Sequence, residues 1–274
     1  MADTILRVTT RNARFQQWQA LLTNRTKRQR SGEFLVQGVR PITLAVRHGW
    51  DIRALLFDAD RALSRWAVDL LDGTPTTRVA MAGDLIAELG GKTDDAPEML
   101  AVVGLPPDDL SRVPLGPRLL TVVLDRPNSP GNIGTLVRSA DAFDASGVIV
   151  TGHAADVYDP KAVRASTGSL FALPVVRGEV PAVLEWVRDI RAGGLAVTVA
   201  GTDERGEQDI AGADLTGPLL VVVGNETLGL STAWRAACDQ LVRIPMVGSA
   251  SSLNAASAGS VVLYEAARQR AATA

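Results

Sequence analysis

LTVVLDRPNSPGNIGTLVRSADAF, Leu120–Phe143, sets the architecture of this 274-residue chain. A short apolar β-branched run breaks into a Pro/Gly/Asn turn, and apolar residues then recur at helical spacing: Ile133, Leu136, Val137, Ala140 and Phe143. The pattern predicts a buried strand, a tight loop and a helix. Two later stretches repeat the plan: LLVVVGNETLGLS (Leu219–Ser231) and VRIPMVGSASSLNAASAGSVVLYE (Val242–Glu265). Strand, glycine loop and helix start is how α/β proteins build ligand sites, because loop amides and helix N-termini converge at strand ends.

Outward from these stretches, Leu119–Leu124, Val148–Val150, Leu195–Ala200 and Leu219–Val223 are near-continuous Val/Leu runs. Such runs between helices predict strands covered on both faces, hence a parallel sheet. Pro181–Ala192 reads as a crossover helix and Leu253–Arg270 as a closing helix whose Ala/Ser-rich first half allows close packing with another helix. Leu105–Pro117, LPPDDLSRVPLGP, contains four prolines and reads as a linker. Before it, helical Asn12–Leu22 leads into the basic run TNRTKRQRSG, read as a loop. A strand and helix are expected over Glu33–Gly49, a strand at Arg53–Asp58, a helix at Ser64–Leu71, an extended Arg78–Ala82, a helix at Asp84–Leu89 and a short strand around Val102–Val103. This first part reads as a small α/β module.

Hydrophobic residues make up 46% of the chain and charged residues 21%, a globular balance. No apolar run approaches the ~20 residues of a membrane span, and the start lacks a signal-peptide core. A single cysteine, Cys238, excludes an internal disulfide, and the expected location is the cytoplasm. Net charge is −2, yet residues 1–30 hold seven basic side chains (Arg7, Arg11, Arg14, Arg25, Lys27, Arg28, Arg30) against Asp3 alone. That cluster is the footprint either of phosphate binding or of a solvated basic helix.

Two features mimic other chemistry. Gly90–Thr93, GGKT, looks like the end of a phosphate-binding loop, but Ile86 stands where its first glycine is required. The neighbouring DDAPE reads as a solvated loop. His48 and His153 lie far apart without metal-ligand spacing, so no metal is expected.

The three glycine-punctuated segments together resemble the signature motifs of the SpoU/TrmH branch of the SPOUT RNA methyltransferases. The resemblance rests on Asn132, Gly134 and Arg138 in the first, on Val223–Leu230 (VGNETLGL) in the second, and on Ile244–Met246 (IPM) with Ser252–Asn254 (SLN) in the third. The runs NARFQQWQALLTNRTKRQR (Asn12–Arg30) and HAADVYDPKAVRASTGSLFALP (His153–Pro174) are similar to a branch of the family that methylates rRNA and confers antibiotic resistance.

The resemblance implies an α/β SPOUT domain with a parallel sheet and a trefoil knot over 118–274, a linker at 108–117 and a ribosomal-protein-type RNA-recognition domain over 1–107. Knots are otherwise excluded from topology arguments. It implies a homodimer that uses S-adenosyl-L-methionine to methylate a ribose 2′-hydroxyl in rRNA, a uridine of 23S rRNA being the expected target. A tRNA methyltransferase and an inactive RNA-binding module are the alternatives.

Carried over residue by residue, the resemblance makes Asn132, Arg138, Glu226, Ser252 and Asn254 the catalytic set, with Glu226 beside Arg138. It makes Gly201, Gly224, Ile244, Met246 and Leu253 the cofactor-binding set. Helix capping is the bland alternative for Asn132, Ser252 and Asn254. Core packing is the alternative for Ile244 and Leu253. Methylation at pyrimidine C5 usually needs a cysteine nucleophile, and no motif loop offers one; ribose-oxygen methylation needs none.

Overall fold

A computed structural model describes residues 5–91 and 96–273. The chain divides into two compact units: one comprises residues up to Pro106 together with Tyr158–Ala172, the other Pro107–Val157 with Leu173 onward.

In the first unit, β1 (Leu6–Val8), β2 (Glu33–Gln37), β3 (Ile52–Asp58), β4 (Thr77–Met81) and β5 (Met99–Gly104) form a mixed sheet of order β1-β4-β3-β5-β2. α1 (Ala13–Thr23) begins at Asn12, whose side chain accepts from the Phe15 amide. It buries Phe15, Trp18 and Leu21 against the sheet beside Leu85, Ile86 and Leu89 of α5 (Gly83–Gly90). The basic run expected as a loop is a helix, α2 (Arg25–Ser31). Asn24 caps it by accepting from the Lys27 amide, and Gly32 ends it in the left-handed conformation, so side-chain capping overrode the polar composition. α3 (Val39–Arg47) and α4 (Arg65–Gly73) complete the alternation. Gly90 and Gly91 end α5, whereas a phosphate-binding loop would open a helix; Lys92 and Thr93, and Asp94 and Asp95 of the DDAPE run, lie outside the described residues.

The second unit holds the strands predicted from the Val/Leu runs. β6 (Leu120–Asp125) leads to α6 (Pro130–Ala142) and β7 (Gly147–Thr151). The chain then leaves this unit for Tyr158–Ala172, which includes α7 (Pro160–Ser166) and belongs to the first unit. That segment interrupts the second unit between Val157 and Leu173. The cause is apolar: Tyr158 and Phe171 join Phe34 and Trp50 in one aromatic cluster, with Phe34 and Tyr158 centroids 4.8 Å apart and Trp50 and Phe171 5.0 Å apart.

The chain returns through β8 (Val175–Gly178), α8 (Val180–Ala192), β9 (Thr198–Thr202), β10 (Gln208–Asp209), β11 (Leu219–Val223), α9 (Thr232–Ala237), β12 (Gln240–Arg243) and α10 (Ala255–Ala272). The sheet is parallel throughout, in the order β10-β12-β9-β11-β6-β7-β8. One face packs Val183, Val187 and Ile190 of α8 and Trp234 of α9 onto Val123, Ile149, Val199 and Val222. The strand expected from Leu195 starts only at Thr198.

The segment read as a linker at 108–117 is docked on this unit. Asp108 accepts from the Arg177 backbone amide and guanidinium, and Val113 is buried. On the other face of the sheet, the small residues of α10 let it approach α6. A Cβ on Gly259 would stand 2.7 Å from Leu136 Cδ1. The end of α10 is tied down by Arg270, which donates to the carbonyls of Arg118, Leu119, Leu215 and Gly217 at the entrances to β6 and β11.

Candidate functional site

The loops that follow β9 and β11 meet the segment between β12 and α10. They enclose a cavity of about 350 Å³. Its walls include Val223, Gly224, Ile244, Met246 and Leu253, with Thr202, Asp203 and Arg235 on the β9 side and Glu226 and Ser252 on the other lining loops. Met246 and Leu253 expose 38% and 40% of their surface and Leu228 exposes 72%, so the pocket presents unusually bare apolar side chains.

Asn132, Glu226 and Asn254, one from each motif, form a single hydrogen-bonded chain. Asn132 Nδ2 donates to Glu226 Oε1 at 2.9 Å, and Asn254 Nδ2 donates to Asn132 Oδ1 at 3.1 Å. The backbone amide of Asn128 donates to Glu226 Oε2 at 3.1 Å. Burial pushes the Glu226 carboxyl upward, but the hydrogen bond from Asn132 and those from the backbone amides of Glu226, Asn128 and Ser129 together hold it below the usual glutamate value.

Asn132 is not the helix cap. Ser129 caps α6 by accepting from the Asn132 amide, which leaves the Asn132 side chain free for Glu226. Asn254 does both jobs: its Oδ1 caps α10 by accepting from Ala256 and Ser257 while its Nδ2 reaches Asn132.

Arg138 is not bonded to Glu226: it is exposed on α6, six positions beyond Asn132, and makes no hydrogen bond or ion pair with any described residue. Gly201 does not face the cavity. A Cβ there would meet Cys238 Sγ at 2.6 Å and Leu230 Cδ1 at 2.7 Å, so its small size serves core packing, and the next residue, Thr202, lines the pocket instead. Gly224 does line it, but a Cβ there would strike the Gly229 carbonyl carbon at 2.4 Å and the Leu230 nitrogen at 2.5 Å. Its lack of a side chain lets the motif loop fold back on its own strand rather than clearing ligand space. Cys238 does not line the cavity, and burial and Asp239 push its thiol up to about 11, against the opposing charge of Arg235.

The residues not anticipated are Asp125, Arg126, Asn225, Asp203 and Arg235. Asp203 pairs with Arg235 at the pocket wall, and its Oδ1 accepts from the Arg205 amide. Asn225 Oδ1 accepts from the Thr227 and Leu228 amides and shapes the loop that carries Glu226. A legible signal existed for Asp125: a carboxylate closing the fully buried run LTVVLD must have a partner.

Residues 12–101 match the SpoU L30e-like domain, and residues 119–264 match the SpoU rRNA Methylase family. The chain is 60% identical over 265 residues, 96% of its length and 92% of the relative's, to a 23S rRNA (uridine(2479)-2′-O)-methyltransferase of Streptomyces viridochromogenes. It superposes with a TM-score of 0.92, at 60% identity and covering 95% of this chain and 99% of that one, on the SpoU methyltransferase AviRb from the same species in complex with AdoMet. An AdoMet-bound rRNA methyltransferase from Sinorhizobium meliloti aligns at 28% identity with a TM-score of 0.85, covering 97% of this chain and 98% of that one. The motif chemistry, the two-unit architecture and these similarities agree: the chain belongs to the SpoU rRNA methylase family.

Proposed function

We infer that this chain is an S-adenosyl-L-methionine-dependent methyltransferase acting on a ribose 2′-hydroxyl of rRNA, with a uridine of 23S rRNA as the target. The observation that carries this reading is the Asn254–Asn132–Glu226 chain, which unites all three motifs and ends on a cavity-lining residue, Glu226. The residues present fit the cofactor. Apolar Val223, Ile244, Met246 and Leu253 suit an adenine, and the Asp203–Arg235 pair suits a zwitterionic amino-acid tail. When bound, S-adenosyl-L-methionine supplies a methyl group already activated by its sulfonium.

The chain's own residues then have to align one oxygen and manage one proton. Arg138 is the residue for the RNA side: its planar fork suits a bidentate grip on the target phosphate and stabilisation of the developing 2′-oxyanion. A guanidinium is a poor base, with a pKa above ~12, so its role is electrostatic. Glu226, Asn132 and Asn254 hold the three motifs in register. Ser252 lines the cavity and is assigned to the substrate side.

Because Arg138 is exposed and unengaged among the described residues, the reading includes a homodimer in which Arg138 completes the neighbour's site. The small-residue stripe of α10 does not support this assembly, since Ala256 and Gly259 are spent against neighbouring elements of the same chain. Exposed Val261 and Tyr264 on α10 are available instead. The trefoil knot and a cytoplasmic location belong to the same reading; among the described residues, no helix is long and apolar enough to cross a membrane. The first unit is assigned to RNA recognition.

The decisive experiment maps 2′-O-methyl stops in rRNA from cells with and without the gene. A stop in 23S rRNA that depends on the gene and disappears in Arg138→Ala supports the assignment; a gene-dependent stop in tRNA alone overturns it. Growth of the same strains on ribosome-targeting antibiotics tests whether the modification protects its host.

A further inference from the structure

Arg126 is one of three non-glycine residues with a left-handed backbone among those described, at φ 55°. L-residues avoid this region because the Cβ crowds the following carbonyl, and a glycine would occupy it without cost. The arginine is held there by a dense set of contacts. Its Nε and Nη2 reach Asp125 Oδ1 and Oδ2 at 3.2 and 3.1 Å, and Asp125 is fully buried. Nη2 also donates to the Gly229 carbonyl at 3.0 Å. The Arg126 carbonyl accepts from Asn225 Nδ2 at 2.7 Å, and its amide donates to the Thr151 carbonyl at 2.9 Å.

The stem of the side chain has a fitted seat. A Cβ on Gly152 would lie 2.7 Å from Arg126 Cγ, so only glycine leaves room for it. Asp125, through Oδ2, accepts from the Ser231 amide at 2.6 Å. The Gly224–Ser231 loop is therefore fastened near both ends to the Asp125–Arg126 pair, at Asn225 and at Gly229 and Ser231. That loop supplies Gly224 through Gly229 to the cavity wall.

We infer that Arg126 is a positioning residue for the proposed methyl transfer: it clamps the Gly224–Ser231 loop in its ligand-ready shape through Asp125, Asn225 and Gly229. This rests on the reading that the cavity takes S-adenosyl-L-methionine. The strained backbone is kept because only a residue with a long forked donor at this position joins the end of β6 to the far side of the loop. No contact with substrate or cofactor is required of Arg126; it acts through the loop.

Removing Arg126 alone would strand Asp125 as a buried unpaired charge, so the test removes the pair, as Asp125→Asn/Arg126→Gly. Hydrogen exchange is read without ligand, and S-adenosyl-L-methionine binding by calorimetry. The expected result is a double variant that still unfolds cooperatively, with amides of residues 225–231 exchanging about tenfold faster or more than in the native protein, and with binding weakened by about tenfold or more. Arg126→Lys, which keeps the charge but loses the fork, should recover only part of the protection. Native exchange rates at 225–231 in the double variant overturn the clamp, as does native affinity. If the native protein itself binds no S-adenosyl-L-methionine, the cofactor reading fails, while the exchange data still decide the clamp.

Discussion

Asn254 Nδ2 donates to Asn132 Oδ1 at 3.1 Å, joining two amides 122 positions apart in the chain. The direction of that bond is dictated from its ends. Ionised Glu226 can only accept, so Asn132 must turn its Nδ2 toward it and its Oδ1 away. Asn254 has committed its own Oδ1 to the cap of α10, so only its Nδ2 is left for Asn132. Asn132→Asp breaks this logic by setting a carboxylate against Glu226, and two such groups in contact resist double ionisation. Methyl transfer by Asn132→Asp should be about tenfold or more below native at pH 8 and partly recover toward pH 6, as one proton comes to be shared. A flat pH–rate profile for the variant would count against the arrangement.

Glu226 also sets a pH dependence of stability. Its folded value lies below its ordinary value of 4.5, so its contribution is fully present above that pH and is lost as the pH falls through the lower, folded value. The melting-temperature gap between native protein and Glu226→Gln should therefore be constant from pH 6 to 8 and close only under acid conditions, about pH 4 and below. Thermal scans across that range check it; a gap that widens with acid would reverse the sign.

How much of this could be read from the chain alone depends on where the deciding interaction sits. The strands Leu120–Asp125 and Leu219–Val223 were legible because burial on both faces forces continuous apolar runs. Asn132, Glu226 and Asn254 were legible as a set only through their motif resemblance; nothing in spacing says that residues 94 and 122 positions apart touch. Helix α2 was hidden because its stability comes from Asn24 and from Arg28 turning inward, whereas TNRTKRQRSG has no apolar periodicity. The excursion at Tyr158–Ala172 was hidden because a buried aromatic looks the same in sequence whichever core receives it.

That inward arginine divides the basic N-terminus into two classes. Arg28 is 2% exposed, donates to the Leu21 carbonyl and pairs with Asp159, and Arg11 pairs with Glu88. Arg14, Lys27 and Arg30 are exposed. Neutralising these three should lower the slope of log affinity for RNA against log salt by roughly 2 to 3, since each phosphate contact releases about one counterion. Arg28→Ala should instead lower the melting temperature, because it strands buried acceptors. Salt titrations and thermal scans on both variants separate the classes; equal effects on the salt slope would merge them again.

Arg138 should behave in the opposite way to that surface. Arg138→Ala is expected to bind RNA and cofactor and melt at the native temperature, since its side chain is exposed and makes no described contact, while single-turnover methyl transfer falls by about 100-fold or more. Arg138→Lys keeps the charge without the planar fork and should rescue little. If Arg138 completes the neighbour's site, mixing Arg138→Ala with Glu226→Ala protein should restore activity through hybrid dimers having one intact site. Absence of any recovery after subunit exchange would refute the shared site.

The placement of Tyr158–Ala172 carries the last prediction, about how the chain can be cut. Tyr158, Leu170 and Phe171 are each at most 4% exposed, and the rings pack on Phe34 and Trp50 of the first unit. Trp50 Nε1 also donates to the Phe171 carbonyl, and Arg40 donates to that of Thr167. A fragment starting at Pro107 keeps its parallel sheet intact but loses every one of these partners. It would present three large apolar side chains to water, at roughly 1.5–3 kcal/mol of lost burial each. Such a fragment is expected to aggregate or to bind S-adenosyl-L-methionine only after that surface is removed. Replacing residues 158–172 in it with a Gly/Ser linker should restore a monodisperse, cofactor-binding protein, because none of those residues lines the cavity. Size-exclusion chromatography and calorimetry on the two fragments decide the matter. If the unmodified fragment is soluble and binds as tightly as the full chain, the aromatic packing of the excursion contributes far less than its burial implies.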